Sequence, residues 1–131
     1  MGKKLRILHL EDSREDRDLT QRELTKSQLP HEITFATTAM EFFSAIDAGR
    51  FDVVLSDSGV VGLDGKAALA MARGRNPRIC FIFLTGHSPG PAIDELLDAG
   101  ADAVVPKDQI KTLASTILQA SGRSMDLPSA M

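Results

Sequence analysis

The residues best suited to chemistry fall in one kind of place along the chain. Glu11 and Asp12 follow the apolar run Leu5–Leu10, and Asp57 stands two residues after Val53-Val54-Leu55. Thr85 follows Ile79–Leu84, and Lys107 comes two residues after Ala103-Val104-Val105. If these runs are parallel strands, all of these side chains stand at carboxyl ends, where open α/β sheets form their sites. Glu11, Asp12 and Asp57 brought side by side repel one another. A hard divalent cation removes that repulsion, and Mg²⁺ is commonly held by a few carboxylates together with waters and phosphate. Lys107 adds a mobile positive charge and Thr85 a hydroxyl. Such a set suits a phosphoryl group better than an acyl or glycosyl substrate. Taken singly, Asp12 could be a helix cap, Asp57 a turn residue and Lys107 a surface charge. Their joint occurrence at strand ends carries the functional reading.

The elements that must position these side chains alternate along the sequence. Apolar runs at Leu5–Leu10, Ile33–Ala36, Val53–Leu55, Ile79–Leu84 and Ala103–Val105 read as strands. The second alternates Ile33 and Phe35 with Thr34, as a strand near a sheet edge does, whereas the third and fourth are apolar throughout, as strands covered on both faces are. Helices are expected between them. Ser13–Ser27 has Ser13 as N-cap and an acidic first turn, with only Leu19 and Leu24 large and apolar. Thr38-Ala39-Met40-Glu41 reads as a capping box before Phe42, Phe43 and Ile46, with Gly49 at the C′ position. Gly65–Arg73 is rich in alanine. Ile93, Leu96 and Leu97 give a short helix stopping at Gly100, begun by the stiff turn Ser88-Pro89-Gly90-Pro91. Ile110, Leu113, Ala114, Ile117 and Leu118 form an amphipathic stripe. This β-α alternation predicts a three-layer α/β/α sandwich around a parallel sheet with right-handed crossovers.

Composition narrows the class. A chain of 131 residues argues for one domain. Hydrophobic residues at 43% and charged residues at 25% are ordinary globular values and exclude disorder over most of the length. Cys80 is the only cysteine, which excludes a disulfide scaffold. A net charge of −3 gives no push toward nucleic acid or an anionic membrane. Glu11 and Asp12 break the first apolar run, so the N-terminus is not a signal peptide. Gly2 lacks the Ser or Thr that usually accompanies myristoylation, since Arg6 stands there. A cytoplasmic protein is expected, with residues 4–120 as the domain and 121–131 as a tail or linker stub.

In order along the chain stand Ile7-Leu8-His9-Leu10-Glu11-Asp12-Ser13, Asp52-Val53-Val54-Leu55-Ser56-Asp57, Gly62-Leu63-Asp64-Gly65, Phe83-Leu84-Thr85-Gly86-His87 and Gly100-Ala101-Asp102-Ala103-Val104-Val105-Pro106-Lys107. This ordered set resembles the receiver domain of two-component response regulators, over about Lys4 to Ala120. The resemblance implies a flavodoxin-like (βα)5 fold with a five-stranded parallel sheet in the order 2-1-3-4-5. It implies that Asp57 accepts a phosphoryl group from a phosphohistidine on a sensor histidine kinase or histidine phosphotransfer protein. It also implies Mg²⁺ held by Asp12, Asp57 and the backbone carbonyl of Gly59, with Glu11 acting directly or through water. Lys107 would pair with the phosphoryl oxygens and Thr85 would hydrogen-bond to one of them. On this reading the chain is a monomer or weak dimer that switches partner binding. It is not an enzyme in its own right, carries intrinsic phosphotransfer and autodephosphorylation chemistry, and touches neither nucleic acid nor membrane directly. The sequence departs from the family where Val104 replaces a frequent aromatic residue. It departs again where Pro106 precedes rather than follows the lysine, and where Val61-Gly62 stands in the loop after Asp57.

The same residues admit other readings. A phosphatase or phosphotransferase of the haloacid-dehalogenase type wants a second aspartate two residues after the nucleophile, and Gly59 is there. A flavin or nucleotide binder wants a glycine-rich phosphate loop after the first strand, which is acidic instead. A pseudo-receiver binding module would lack one of Asp12, Asp57 and Lys107. A stand-alone receiver, a phosphorelay intermediate and a receiver of a hybrid kinase all remain open. His87, two residues after Thr85, is either a rim residue of the site or plain exposed. His9 is expected to be satisfied or edge-facing, His31 solvated and Cys80 an inert buried thiol. Arg14 to Asp18 read as a solvated helix face and, by the resemblance, as a candidate kinase-docking surface.

Overall fold

The computed structural model describes residues 4–57, 59–60, 63–86 and 90–122; for 59–60 and 90–92 only the backbone is described. The strands are β1 (Leu5–Leu10), β2 (His31–Ala36), β3 (Val53–Asp57), β4 (Gly59–Val60), β5 (Leu63–Asp64), β6 (Cys80–Thr85) and β7 (Ala103–Pro106). The helices are α1 (Arg14–Lys26), α2 (Ala39–Ala48), α3 (Gly65–Arg75), α4 (Gly90–Asp98) and α5 (Leu113–Ser121), with a 3₁₀ segment at Lys107–Thr112. Five strands form one parallel sheet in the order β2-β1-β3-β6-β7, the expected topology once the short β4–β5 ladder is set aside.

Side-chain alternation divides the core into two layers. Leu8, Leu10, Val54, Phe81 and Phe83 face Phe42 and Ile46 of α2, Leu69 and Ala72 of α3, and Leu96 of α4. Leu5, Ile7, Val53, Leu55, Ile82 and Leu84 face Leu24 of α1 and Leu113, Ile117 and Leu118 of α5. β6 is buried at every residue, whereas β2 lies at the sheet edge and leaves Glu32 and Thr34 exposed. Cys80 is buried, and burial pushes its thiol up to about 12, so it is inert.

Several local expectations change in detail. The hydroxyl of Thr38 caps α2 by accepting from the Glu41 amide at 3.1 Å, but the Glu41 carboxylate reaches back to Thr37 rather than to Thr38. Gly49 ends α2 with φ −107°, which is not left-handed. Crowding disfavours a side chain there, since a Cβ would lie 2.7 Å from the Phe51 ring, which would have to shift. Gly100 does need its glycine, with φ +114° just beyond α4. The stripe from Ile110 to Leu118 is buried as expected, yet it is not one helix. Residues 107–112 form the 3₁₀ segment, interrupted at Gln109 (φ −116°, ψ 29°), before α5 begins. The short antiparallel pairing of Gly59–Val60 with Leu63–Asp64 was not anticipated either. It leads into α3, whose first turn is capped by the Asp64 carboxylate. Val61-Gly62, His87, Ser88-Pro89 and the tail from 123 lie outside the described residues.

Candidate functional site

The carboxyl ends of β1, β3 and β7 converge. Oxygens of Glu11, Asp12 and Asp57 all lie within 4.8 Å of one another. Glu11 is buried at 1% exposure, Asp57 is half-buried and Asp12 is exposed, so the cluster opens to water on one side. Lys107, one residue past β7, extends its ammonium into the group. It donates to Glu11 Oε1 at 2.9 Å, Asp16 Oδ2 at 2.6 Å and Asp57 Oδ1 at 3.4 Å. Burial works against the Lys107 charge, but the hydrogen bonds it donates to Asp16 and Glu11 outweigh it and push the ammonium above the usual lysine range. Burial holds the Glu11 carboxyl above the usual carboxylate range, although its bond to Lys107 pulls the other way.

Each side chain is fixed by local structure. The Glu11 amide donates to Ala36 O, extending the β1–β2 ladder by one residue, and its Oε2 accepts from the Ser13 amide at 3.2 Å. Ser13 is the N-cap of α1 and accepts from the Asp16 amide at 3.3 Å, which sets Asp16 in the first turn beside Lys107. Asp57 ends β3 opposite Leu84 of β6. Thr85 is the next residue, buried and paired in register with Pro106 of β7. Gly59 lies two residues beyond Asp57, at the start of β4. The predicted residues Glu11, Asp12, Asp57 and Lys107 are therefore brought together, with Thr85 at the neighbouring strand end.

Asp16 and Arg17, expected on a solvated helix face, instead turn toward the site. Arg14, Glu15 and Asp18 are indeed exposed. Asp16 instead lines up with the buried Thr20 and Leu24 at helical spacing, a signal masked by the polar Thr20. Arg17 donates to Glu11 O at 3.1 Å and lies 6.0 Å from the centroid of the Phe35 ring.

His9 corrects another expectation. It lies within β1, fully buried against the Phe35 ring at 5.7 Å, and neither ring nitrogen has a hydrogen-bond partner among the described residues. Burial, reinforced by the charges of Lys107 and Arg17, lowers its pKa from 6.5 to about 3. The unfolded chain gains a proton here below about pH 6.5 while the folded chain stays neutral, so this group's stability is present above that pH and lost as pH falls toward 3. His9→Leu, of similar size, is expected to stabilise the fold by about 1–2 kcal/mol near neutral pH and to flatten its acid sensitivity. Urea unfolding near neutral pH and in mild acid checks this. Equal pH slopes for the two chains would contradict it.

A cavity of about 620 Å³ lies away from the carboxylates and is lined by Phe51, Asp52, Arg73, Arg78 and Asp102 among others. Its lining offers no convergent carboxylate group of the kind that Glu11, Asp12 and Asp57 form, so size does not mark the site. No helix among the described residues is long and apolar enough to cross a membrane.

Comparison with known proteins agrees with this geometry. Residues 7–118 match the model of the response regulator receiver domain. No curated protein matches the chain in sequence. Among solved structures, a CheY-like response regulator receiver domain protein from Methanospirillum hungatei JF-1 is 26% identical with a TM-score of 0.79, covering 95% of this chain and 98% of that one. The chemotaxis response regulator CheY4 of Vibrio cholerae is 21% identical with a TM-score of 0.78, covering 90% and 99%. The receiver domain of a sensor histidine kinase from Pseudomonas aeruginosa PAO1, solved with magnesium ion coordinated in its active site cleft, is 20% identical with a TM-score of 0.78, covering 92% and 99%. Sheet order, strand-end carboxylates and a family match across nearly all of the described chain agree, and the chain belongs to the response regulator receiver domain family.

Proposed function

We propose that this receiver accepts a phosphoryl group on Asp57 from a phosphohistidine of a sensor histidine kinase or histidine phosphotransfer protein, and so changes its affinity for a partner. The observation that carries the reading is the juxtaposition of Glu11, Asp12 and Asp57 within 4.8 Å with the Lys107 ammonium among them. An Asp57 carboxylate oxygen attacks phosphorus, and the bond from phosphorus to the imidazole nitrogen breaks. The imidazole leaves with that electron pair, and Asp57 becomes an acyl phosphate. Lys107 is held close enough to follow the phosphoryl oxygens, and the Thr85 hydroxyl, on the next strand, supplies a hydrogen bond to one of them.

All-oxygen donors, two of them accessible to water, fit a hard cation such as Mg²⁺, and the relative from Pseudomonas aeruginosa coordinates that ion in its cleft. Asp12, Asp57 and the Gly59 carbonyl would hold it, with Glu11 buried behind them. When bound, Mg²⁺ neutralises charge on the transferring phosphoryl group. Residues 4–120 would be the functional unit, working in the cytoplasm as a phosphoacceptor rather than as an enzyme acting on a separate substrate. Intact-mass spectrometry after incubation with acetyl phosphate and Mg²⁺ tests the proposal: one added phosphoryl group is expected, and an unchanged mass would overturn it.

A further inference from the structure

The shortest bond at the site belongs to a residue outside the carboxylate group. Lys107 Nζ lies 2.6 Å from Asp16 Oδ2, closer than to Glu11 at 2.9 Å or to Asp57 at 3.4 Å. An ammonium has three N–H donors, and here they face three carboxylates. Oxygens of a phosphoryl group on Asp57 would be further acceptors, and the Lys107 donors are already committed. Glu11 is buried and also accepts from Ser13, so releasing it would strand a charge away from water. Asp16 is one-third exposed and can be rehydrated if it loses Lys107. Of the two shorter bonds, the one to Asp16 is therefore the less costly to surrender.

We propose that Asp16 is a positioning residue that holds Lys107 in the unphosphorylated chain and competes with the phosphoryl group for its ammonium. This inference rests on the phosphoacceptor reading of Asp57. The competition ties the first turn of α1 to the end of β7. Ser13 holds the Asp16 amide while Lys107 holds its carboxylate, and phosphorylation would release the second of these ties.

Beryllofluoride, a stand-in for the phosphoryl group on Asp57, gives the test. The chain lacks Trp and Tyr, so binding is followed by NMR in the presence of Mg²⁺. Asp16→Asn keeps the size of the side chain but removes its charge. It should tighten beryllofluoride binding about fivefold. It should also move the Lys107 Nζ signal of the free chain toward its bound position, and Asp16→Glu should restore both. Mg²⁺ affinity should change by less than about twofold, because Asp16 is outside the carboxylate group. Removing any negative charge near an anion site also helps the anion, so the effect is measured again in Lys107→Met. There the gain from Asp16→Asn should shrink to that general charge effect, below about twofold; an equal gain would overturn the competition. If Lys107→Met takes up no beryllofluoride, the Nζ signal decides, and a signal unmoved by Asp16→Asn overturns the proposal. Failure of the parent chain to bind beryllofluoride at all would overturn the phosphoacceptor reading and the Asp16 role with it. Binding by the parent that Asp16→Asn leaves unchanged would overturn the Asp16 role alone.

Discussion

Asp57→Asn, incubated with acetyl phosphate and Mg²⁺, is expected to gain no mass where the parent chain gains one phosphoryl group. An amide has no anionic oxygen to attack phosphorus. The neighbouring carboxylates are poor substitutes. Glu11 is buried, with one oxygen on Lys107 and the other on the Ser13 amide. Asp12 is exposed and lies in the same carboxylate group, which makes it the alternative acceptor. Labelling that survives Asp57→Asn and disappears in Asp12→Asn would move the acceptor to Asp12. The same substitution should stabilise the metal-free fold, because it removes one of three carboxylates held within 4.8 Å. Lys107, 3.4 Å from Asp57, offsets part of that repulsion, so the gain should be only about 0.5–1 kcal/mol. By mass action Mg²⁺ should then raise the Tm of the parent more than that of the variant. If Asp57→Asn and Asp12→Asn are both clearly less stable in EDTA, the carboxylates are structural.

Much of this was legible in the sequence because parallel strands announce themselves twice, by apolar runs and by the chemistry placed at their ends. β1 matches its run residue for residue, and β3, β6 and β7 end at Asp57, Thr85 and Pro106, so those side chains could be assigned to one edge of the sheet. The alternation in β2 likewise foretold its edge position. What stayed hidden depends on contacts distant in the chain. Asp16 and Lys107 are 91 residues apart, and nothing in the charge run of α1 separates Asp16 from its exposed neighbours until the helix is docked. His9 was hidden for the opposite reason. Its type suggests a polar role, while its register in β1 points it into the layer shared with α1 and α5, where it is buried with no hydrogen-bond partner among the described residues. The interruption at Gln109 left no mark, because it falls one residue before the hydrophobic stripe begins at Ile110.

Lys107→Met should be the most damaging single change at the site for the free chain, at about 2–3 kcal/mol near neutral pH. Methionine keeps much of the length and apolar stem of lysine but removes the charge that Glu11, Asp16 and Asp57 share. Glu11 is the decisive partner, because it is buried and its remaining hydrogen bond, from the Ser13 amide, does not supply a positive charge. The full cost of breaking a buried pair is about 3–5 kcal/mol, and the half-exposed edge of this site reduces it. Burial already holds the Glu11 carboxyl above its ordinary range, and the loss of Lys107 removes the main opposing pull. A carboxyl whose folded pKa is raised favours the folded state below that pKa and disfavours it as pH rises through it. The gap between Lys107→Met and the parent should therefore be widest at neutral pH and narrow in mild acid, where Glu11 takes up a proton. Glu11→Gln in the Lys107→Met background should recover most of the loss at neutral pH, since the amide carries no charge to leave unpaired. Urea titrations of the three chains at two pH values check this. A loss that is independent of pH and unaffected by Glu11→Gln would assign the role of Lys107 to packing of its stem and not to its charge.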